Sequence, residues 1–273
     1  MIISHKLKFI YIKLMKIAGT SFEVALSKYC GPKDIITPIN DQEHRRKSLG
    51  FCGAQNYSYS DNPYLDSYLK LRLYYFIPKV IHRLLDLNHP ITEFSAHTSA
   101  REIKRRLPST VWRNYLKVAT IRCPYDTYIS AYYYFKYSEF EIIHQKNKPI
   151  ENFKKFVTKH QTVLDYILEL HDKNGKMLTD FLIRYEHINE DIESLSKKIN
   201  TPGLLSTFEA HNVGGDLRPK LRASSCEMYT KYPNAKLILD EKFGKYADRY
   251  EFFEQYWPSY KSALEEAIKE HSL

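Results

Sequence analysis

Three times along this chain, a short apolar segment typical of a buried strand runs directly into a segment with helical spacing. The first pair is "KFIYIKLM" (8–15), with β-forming side chains on both faces, and "TSFEVALSKYC" (20–30), in which Phe22 and Leu26 recur at helical spacing. The other two pairs are 115–122 with 124–137 and 180–186 with 189–200. Strands that alternate with helices form a parallel sheet covered on both faces. The sequence therefore predicts an α/β fold, a three-layer α/β/α sandwich with a central parallel sheet.

Shorter segments complete this prediction. "TEFSAH" (92–97) predicts a short strand, and "TSAREIKRRL" (98–107) predicts a helix with a hydroxyl cap. Residues 40–62 are loop-like, and 64–87 have the spacing of a long amphipathic helix. Because no internal repeat or low-complexity segment interrupts the chain, we expect one domain spanning 1–273.

The charge balance narrows the class of partner. The formal net charge is +9 and the isoelectric point is near 9.1, which favours an anionic ligand such as a nucleotide, a nucleic acid or an acidic sugar. The densest basic clusters, "EHRRK" and "REIKRR", are short and mixed with other residue types. A dedicated DNA-binding protein usually carries a longer basic stripe, so nucleic acid is the less favoured partner.

The cysteine spacing and the sequence of residues 1–16 indicate the cellular compartment. The four cysteines lie far apart without a CxxC pair, so the sequence predicts neither a zinc site nor a disulfide framework, and it fits a reducing compartment. The stretch 1–16 is too rich in lysine, and its apolar run too short, for a signal peptide or a membrane anchor. We expect a soluble, cytoplasmic protein without a membrane span.

The turn "KIAGTS" (16–21) joins the first strand to the first helix and has the composition of an anion site. Backbone N–H groups, the helix dipole and the Lys16 charge would converge there, and Thr20 and Ser21 could add hydroxyl donors. A nucleoside-triphosphate P-loop reads GxxxxGK[ST], whereas here the lysine precedes Gly19, which disfavours a Mg-ATP kinase. An ordinary strand–helix turn with a surface lysine is the alternative interpretation.

A second motif points to a family. "KVATIRCPYDTYISAYYYF" places Arg122 at a strand end and Ser130 eight residues later, in the following helix. With "KIAGTS", it resembles the sulfotransferases that use 3′-phosphoadenylyl sulfate (PAPS), particularly their carbohydrate-acting branch. "FSAHTSAREIKRRLPSTVWRNY", "FLIRYEHINED" and "EKFGKYADRYEFF" resemble further segments of that family in the same order. The likeness covers most of the chain except about 31–90, and it implies a P-loop-like fold.

The resemblance also implies which residues bind the donor. Those of the first turn would hold the 5′-phosphosulfate: Lys16, Ala18, Gly19, Thr20, Ser21 and Phe22. Arg122 and Ser130 would hold the 3′-phosphate, and Tyr185 of the "RYE" segment would lie near the adenine. The chain departs from the family pattern at Met15, where proline is common, and at Cys123, where asparagine is frequent.

Sulfuryl transfer depends mainly on positioning and charge stabilisation, as phosphoryl transfer does. The resemblance assigns Lys16 to the leaving 5′-phosphate and His97 to deprotonation of the acceptor hydroxyl, with Glu93 as the alternative base. A histidine that holds the start of the next helix is the structural alternative. The donor phosphates would meet lysine, arginine and backbone groups, so we expect PAPS as co-substrate, 3′,5′-bisphosphoadenosine (PAP) as product, and no metal.

The Tyr-rich segment 40–90 is predicted to be an acceptor-side insertion, since the resemblance lapses there and aromatic faces suit sugars. An ordinary packing subdomain is equally compatible with its composition. We therefore expect the sulfuryl group to be transferred to a hydroxyl of a carbohydrate acceptor. The competing hypotheses are a P-loop nucleotide kinase or NTPase-like phosphotransferase and a non-catalytic nucleic-acid-binding module.

Overall fold

The chain folds into a mixed α/β structure. A computed structural model describes residues 1–39, 43–60, 91–137, 152–160, 169–211 and 224–247. The strands are β1 Ile2–Ser4, β2 Phe9–Ile12, β3 Ile35–Ile36, β4 Ser58–Ser60, β5 Ile91–Glu93, β6 Leu116–Ile121 and β7 Phe181–Arg184. The helices are α1 Gly19–Ser27, α2 Glu43–Ser48, α3 Ala100–Arg106, α4 Ser109–Asn114, α5 Pro124–Tyr137, α6 Phe153–Lys159, α7 Ile188–Lys198, α8 Leu204–Ala210, α9 Ser225–Lys231 and α10 Pro233–Ala247. Each of the three predicted strand–helix pairs is present.

The main sheet has five strands in the order β3-β1-β2-β6-β7. Strands β2, β6 and β7 are parallel, whereas β1 is antiparallel to both β2 and β3. The prediction of a parallel central sheet is therefore wrong at one side, and the sheet is mixed. The reason is the short link between β1 and β2, because four residues can close a hairpin but cannot make the long crossover that parallel pairing requires. The Asp34 carboxylate fixes this link by accepting from the backbone N–H groups of His5 and Lys6.

Side chains of β2 point alternately into two apolar clusters, as the predicted two-sided burial requires. Ile10 and Ile12 lie in one cluster, with residues of α5, α9 and α10. Phe9 and Tyr11 lie in the other, with residues of α1, α7 and α8. Helices thus cover both faces of the strand that precedes the turn "KIAGTS" (16–21), called the anion turn below.

The carboxyl ends of the three parallel strands meet at one edge of the sheet. The register pairs Ile12 of β2 with Ala119 of β6, and Ile121 of β6 with Arg184 of β7. The residues that follow these strand ends are the turn 13–18, Arg122 and Tyr185. The fold therefore brings three of the segments singled out in the sequence to the same place, where ligands of parallel sheets usually bind.

Other predicted elements differ or fall outside the described residues. The strand expected at 92–97 is shorter, and β5 pairs with β4 in a separate two-stranded sheet, so it does not join the main one. The loop expected at 40–62 contains α2 and β4. The helix expected at 64–87, and with it most of the proposed insertion at 40–90, lies outside the described residues. Within the described ranges, no helix is both long enough and apolar enough to cross a membrane.

Candidate anion-binding site at the carboxyl edge of the sheet

The turn before α1 has an unusual backbone. Lys16 and Ala18 adopt positive φ angles of 59° and 57°, a left-handed conformation that non-glycine residues rarely take. Ala18 is the N-cap residue of α1, and its methyl side chain cannot accept a hydrogen bond from the first helical turn. The N–H groups of Gly19, Thr20 and Ser21 precede the first intrahelical donor, Phe22, which bonds to the Ala18 carbonyl at 3.1 Å. Three backbone donors therefore stand at the positive end of the α1 dipole.

A buried ion pair supports this turn from below. Lys13 Nζ lies 2.6 Å from Glu23 Oε2, and the second oxygen of Glu23 accepts from the N-terminal ammonium of Met1. Burial, followed by the positive charges of Arg46 and Lys16, lowers the pKa of Lys13 to about 7. The adjacent Glu23 carboxylate opposes this shift by favouring the protonated lysine. The Lys13 side chain thus lies directly beneath the anion turn, against Gly19.

Gly19 is needed because the Lys13 side chain passes so close. A Cβ atom at Gly19 would lie 2.8 Å from Lys13 Cγ and 3.2 Å from Lys13 Cε. Since the ion pair with Glu23 holds Lys13 in place, we expect Gly19→Ala to lower the free energy of unfolding by about 1–3 kcal/mol. The matched control is Gly31→Ala, whose new Cβ would meet its nearest atom, Lys6 Cδ, at 3.4 Å.

Urea unfolding of both variants measures this difference. The control should stay within about 0.5 kcal/mol of wild type. Equal stability of Gly19→Ala and Gly31→Ala would show that Lys13 can move aside, and that the close approach does not fix the turn.

Arg122 connects the anion turn to the neighbouring strand ends. The residue is 6% exposed; its Nη1 donates to the Lys16 carbonyl at 3.2 Å, and its guanidinium carbon lies 3.9 Å from the centroid of the Tyr185 ring. Its Nε and Nη2 pair with Asp126, with Nε 2.6 Å from Oδ2. The contacts of Nη1, Nε and Nη2 use three of the five guanidinium N–H donors, so two remain for an anionic ligand.

Asp126 ties this arginine to a further helix. Its second oxygen, Oδ1, accepts from the Ser225 hydroxyl at 2.8 Å, at the first residue of α9. Asp126 pairs with one edge of the Arg122 guanidinium, the Lys16 carbonyl accepts from one nitrogen, and the Tyr185 ring covers one face. The side chain therefore has little rotational freedom. Arg122 is therefore fixed in position before any ligand binds.

His97 lies beside the end of β2. Its Nδ1 is 3.2 Å from the Lys13 carbonyl, and because a carbonyl only accepts, Nδ1 carries the proton and Nε2 the lone pair. Although the residue is exposed overall, loss of hydration around the ring, followed by the charges of Lys13 and the N-terminal ammonium, lowers the pKa of His97 to about 4. The ring is therefore neutral at pH 7, as a general base must be. Glu93 ends β5 on the exposed side of the small sheet.

The remaining predicted residues occupy different environments. Thr20 is partly exposed, whereas Ser21 is 1% exposed and Phe22 packs in the core with its ring 5.0 Å from that of Tyr11. Ser130 lies partly exposed on α5, four residues before Tyr134. The Phe22 ring thus packs in the core and the Ser21 side chain is buried, so of the two predicted turn hydroxyls only that of Thr20 has exposed surface.

Sequence reasoning missed three residues of this site: Lys13, Asp126 and Tyr134. The i, i+4 spacing of Arg122 and Asp126 on a strand–helix junction was a visible signal for their ion pair. The ring of Tyr134 lies 3.4 Å from Lys16 Nζ, and neither this contact nor the burial of Lys13 has a local signature in the sequence.

Comparisons with models of known protein families, with curated proteins and with solved structures find no match to this chain. Within the part of the chain that the structure describes, no group of three or more His, Cys, Asp or Glu side chains is arranged to hold a metal ion.

Proposed function

We propose that this protein is a PAPS-dependent sulfotransferase that transfers the sulfuryl group to a hydroxyl of a carbohydrate acceptor. The observation that carries the proposal is the position of Arg122, which contacts the Lys16 carbonyl at 3.2 Å and the Tyr185 ring at 3.9 Å. The three segments that resemble the donor-binding motifs of that family thus meet around one guanidinium. The order of these segments along the chain does not by itself require that they meet in the fold.

The groups at this edge fit the chemistry of a doubly phosphorylated donor. The 5′-phosphosulfate would meet the Lys16 ammonium, the N–H groups of the first turn of α1 and the Thr20 hydroxyl. The 3′-phosphate would meet the remaining N–H groups of Arg122, with Ser130 on α5 as a further donor. The Tyr185 ring has one face against Arg122, which leaves its other side and its edge for the adenine.

The donor supplies a sulfuryl group on a phosphate leaving group. In the transfer, the bond from sulfur to the bridging oxygen breaks, and the acceptor oxygen forms the new bond to sulfur. Lys16 stabilises the charge that grows on the leaving phosphate, and Nε2 of His97 takes the proton of the acceptor hydroxyl. The hydrogen bond from Nδ1 of His97 to the Lys13 carbonyl holds the ring, and with it Nε2, at the end of β2, next to the anion turn.

A polar depression beside β5 carries groups that suit a sugar acceptor. It measures about 480 Å³, and its lining includes Glu93, Ser95 and Thr98, whereas His97 is not among the lining residues. Carboxylates and hydroxyls accept and donate the hydrogen bonds that sugar hydroxyls form. The prediction that 40–90 contributes to acceptor binding concerns residues that the structure describes only in part.

Donor binding is tested by thermal stability. PAP in the presence of EDTA should raise the melting temperature, and Arg122→Ala should remove most of that gain because the charge-assisted contacts to the 3′-phosphate are lost. Arg113→Ala is the matched control, since Arg113 is exposed on α4 and bonds only locally, to the Ser109 carbonyl at 3.3 Å. If adenosine 5′-monophosphate protects as well as PAP does, Arg122 and Ser130 do not bind a 3′-phosphate.

The same assay separates the competing hypotheses. Stabilisation by Mg-ATP but not by PAP would favour a kinase or NTPase-like phosphotransferase. Stabilisation by single-stranded DNA alone would favour a nucleic-acid-binding module. A radiolabelled sulfuryl group that moves from PAPS to a glycan would establish the proposed reaction directly.

A further inference from the structure

The ammonium of Lys16 lies over an aromatic ring. Its Nζ is 3.4 Å from the centroid of the Tyr134 ring, a distance at which the negative face of the ring attracts a cation. At the other end of the same residue, the Lys16 carbonyl accepts from Arg122 at 3.2 Å. The backbone and the side chain of Lys16 are therefore held by the junction between β6 and α5 and by α5, respectively.

The ring sits on a firmly anchored helix. The face of α5 that carries Tyr128 and Ile129 is buried in the core, and both residues are 0% exposed. Tyr134 is half-buried and lies one turn beyond Ser130, so these two residues share a face of α5. The helix thus presents an aromatic surface to the turn and leaves the hydroxyl of Ser130 nearby.

An aromatic partner differs from a carboxylate in one respect that matters here. A ring carries no net charge, so this contact itself adds no anion beside the turn. A ring holds the ammonium through its quadrupole and leaves the formal charge intact. Lysine side chains also sample many rotamers, so a ring that restricts them places the charge before the anion arrives.

We propose that Tyr134 is a positioning residue, which holds the Lys16 ammonium beside the anion turn through its ring. The effect on catalysis rests on the proposed sulfotransferase function, whereas the contact itself does not. The property that matters is the aromatic face, so Tyr134→Phe should preserve the role and Tyr134→Leu should remove it.

A spectroscopic test detects the contact without any activity. Reductive ¹³C-methylation of the folded protein makes each lysine visible by NMR and keeps its charge, and a methyl group over a ring gives an upfield-shifted signal. Lys16→Arg identifies the signal by its loss. We expect it to remain shifted in Tyr134→Phe and to return to the ordinary lysine range in Tyr134→Leu.

The control for this test is Tyr29→Leu. Tyr29 belongs to a second lysine–tyrosine pair, in which Lys28 Nζ lies 5.6 Å from the ring centroid. This variant should leave the Lys16 signal where it is. An unshifted Lys16 signal in the wild type, or a shifted one that persists in Tyr134→Leu, overturns the proposal.

Single-turnover transfer from PAPS tests the consequence. Tyr134→Leu should slow transfer about 3- to 30-fold, the range expected for loss of a cation–π contact, and Tyr134→Phe should recover most of that loss. A lost NMR shift with an unchanged rate would show that the ring contacts Lys16 without positioning it. Failure of the proposed function is different: the NMR pattern holds, yet the wild type transfers no sulfuryl group and gains no stability from PAP.

Discussion

Lys16→Ala is expected to reduce single-turnover sulfuryl transfer about 10²–10³-fold, the loss seen when one preorganised oxyanion donor is removed. PAP binding should weaken far less, because the N–H groups at the start of α1 still meet the 5′-phosphate in the ground state. The difference arises because negative charge accumulates on the bridging oxygen mainly in the transition state. Rates with PAPS and dissociation constants for PAP, measured on the same variant, separate the two effects.

Two further variants make this result interpretable. Lys16→Arg keeps a positive charge with a different shape and should recover part of the rate. Lys28→Ala removes an exposed lysine at the other end of α1 and should match the wild type. Equal losses in rate and in PAP affinity for Lys16→Ala would reduce Lys16 to an anchor for the phosphate.

His97→Ala is expected to lower the transfer rate about 10²–10⁴-fold, the contribution of a positioned general base. His97→Asn is the informative partner, because its amide nitrogen occupies the position of Nδ1 and can still donate to the Lys13 carbonyl, but the side chain cannot take a proton at pH 7. Both variants should lose rate, and His97→Asn should keep the melting temperature of the wild type. A control is His44→Ala, an exposed histidine on α2.

The pH dependence follows from the lowered pKa of His97. The neutral ring is the active form, so titration of His97 should lower the wild-type rate only as the pH approaches its pKa of about 4, and any limb near pH 7 belongs to Lys13, whose pKa is about 7. The free energy of unfolding changes in the same direction as the rate. Below about pH 6.5 the histidine is protonated in the unfolded chain but not in the folded one, so the free energy of unfolding decreases as the pH falls toward 4. A histidine with the ordinary pKa would instead give a limb near 6.5.

A purely structural histidine would behave differently. His97→Ala would then be destabilised, and it would transfer sulfate at nearly the wild-type rate once folded. That outcome removes His97 from the mechanism and makes Glu93→Gln the next variant to measure. The rates and melting temperatures of the variants decide between the two bases.

The parallel half of the sheet was predictable, and so was the meeting of Lys16 with Arg122. β-Forming side chains on both faces of β2 marked a strand buried on both sides, and parallel neighbours such as β2 and β6 end at one edge. Once those strands are assigned, the turn after β2 and the arginine after β6 must be close. No such rule predicts the side-chain contacts among these residues, because the directions of their side chains are set by tertiary packing.

The antiparallel side of the sheet was not predictable from local patterns. Strand β1 has three residues and β3 only two, too few to show a period. Their pairing depends on Asp34, which accepts from His5 across 29 positions of sequence, and from the Ser4 hydroxyl. Lys13 was missed for a related reason: its burial results from a partner on α1, Glu23, that local hydrophobicity does not reveal.

The hydrogen bond from Arg122 to the Lys16 carbonyl means that the two proposed phosphate subsites share one support. Lys16 accepts through its backbone, so a side-chain substitution at 16 keeps this bond, whereas Arg122→Ala removes it and leaves the anion turn without that contact. The free-energy cost of Arg122→Ala therefore contains a share that belongs to the turn. Under the proposed function, the loss measured for Arg122→Ala would overstate what the 3′-phosphate end of the donor contributes alone.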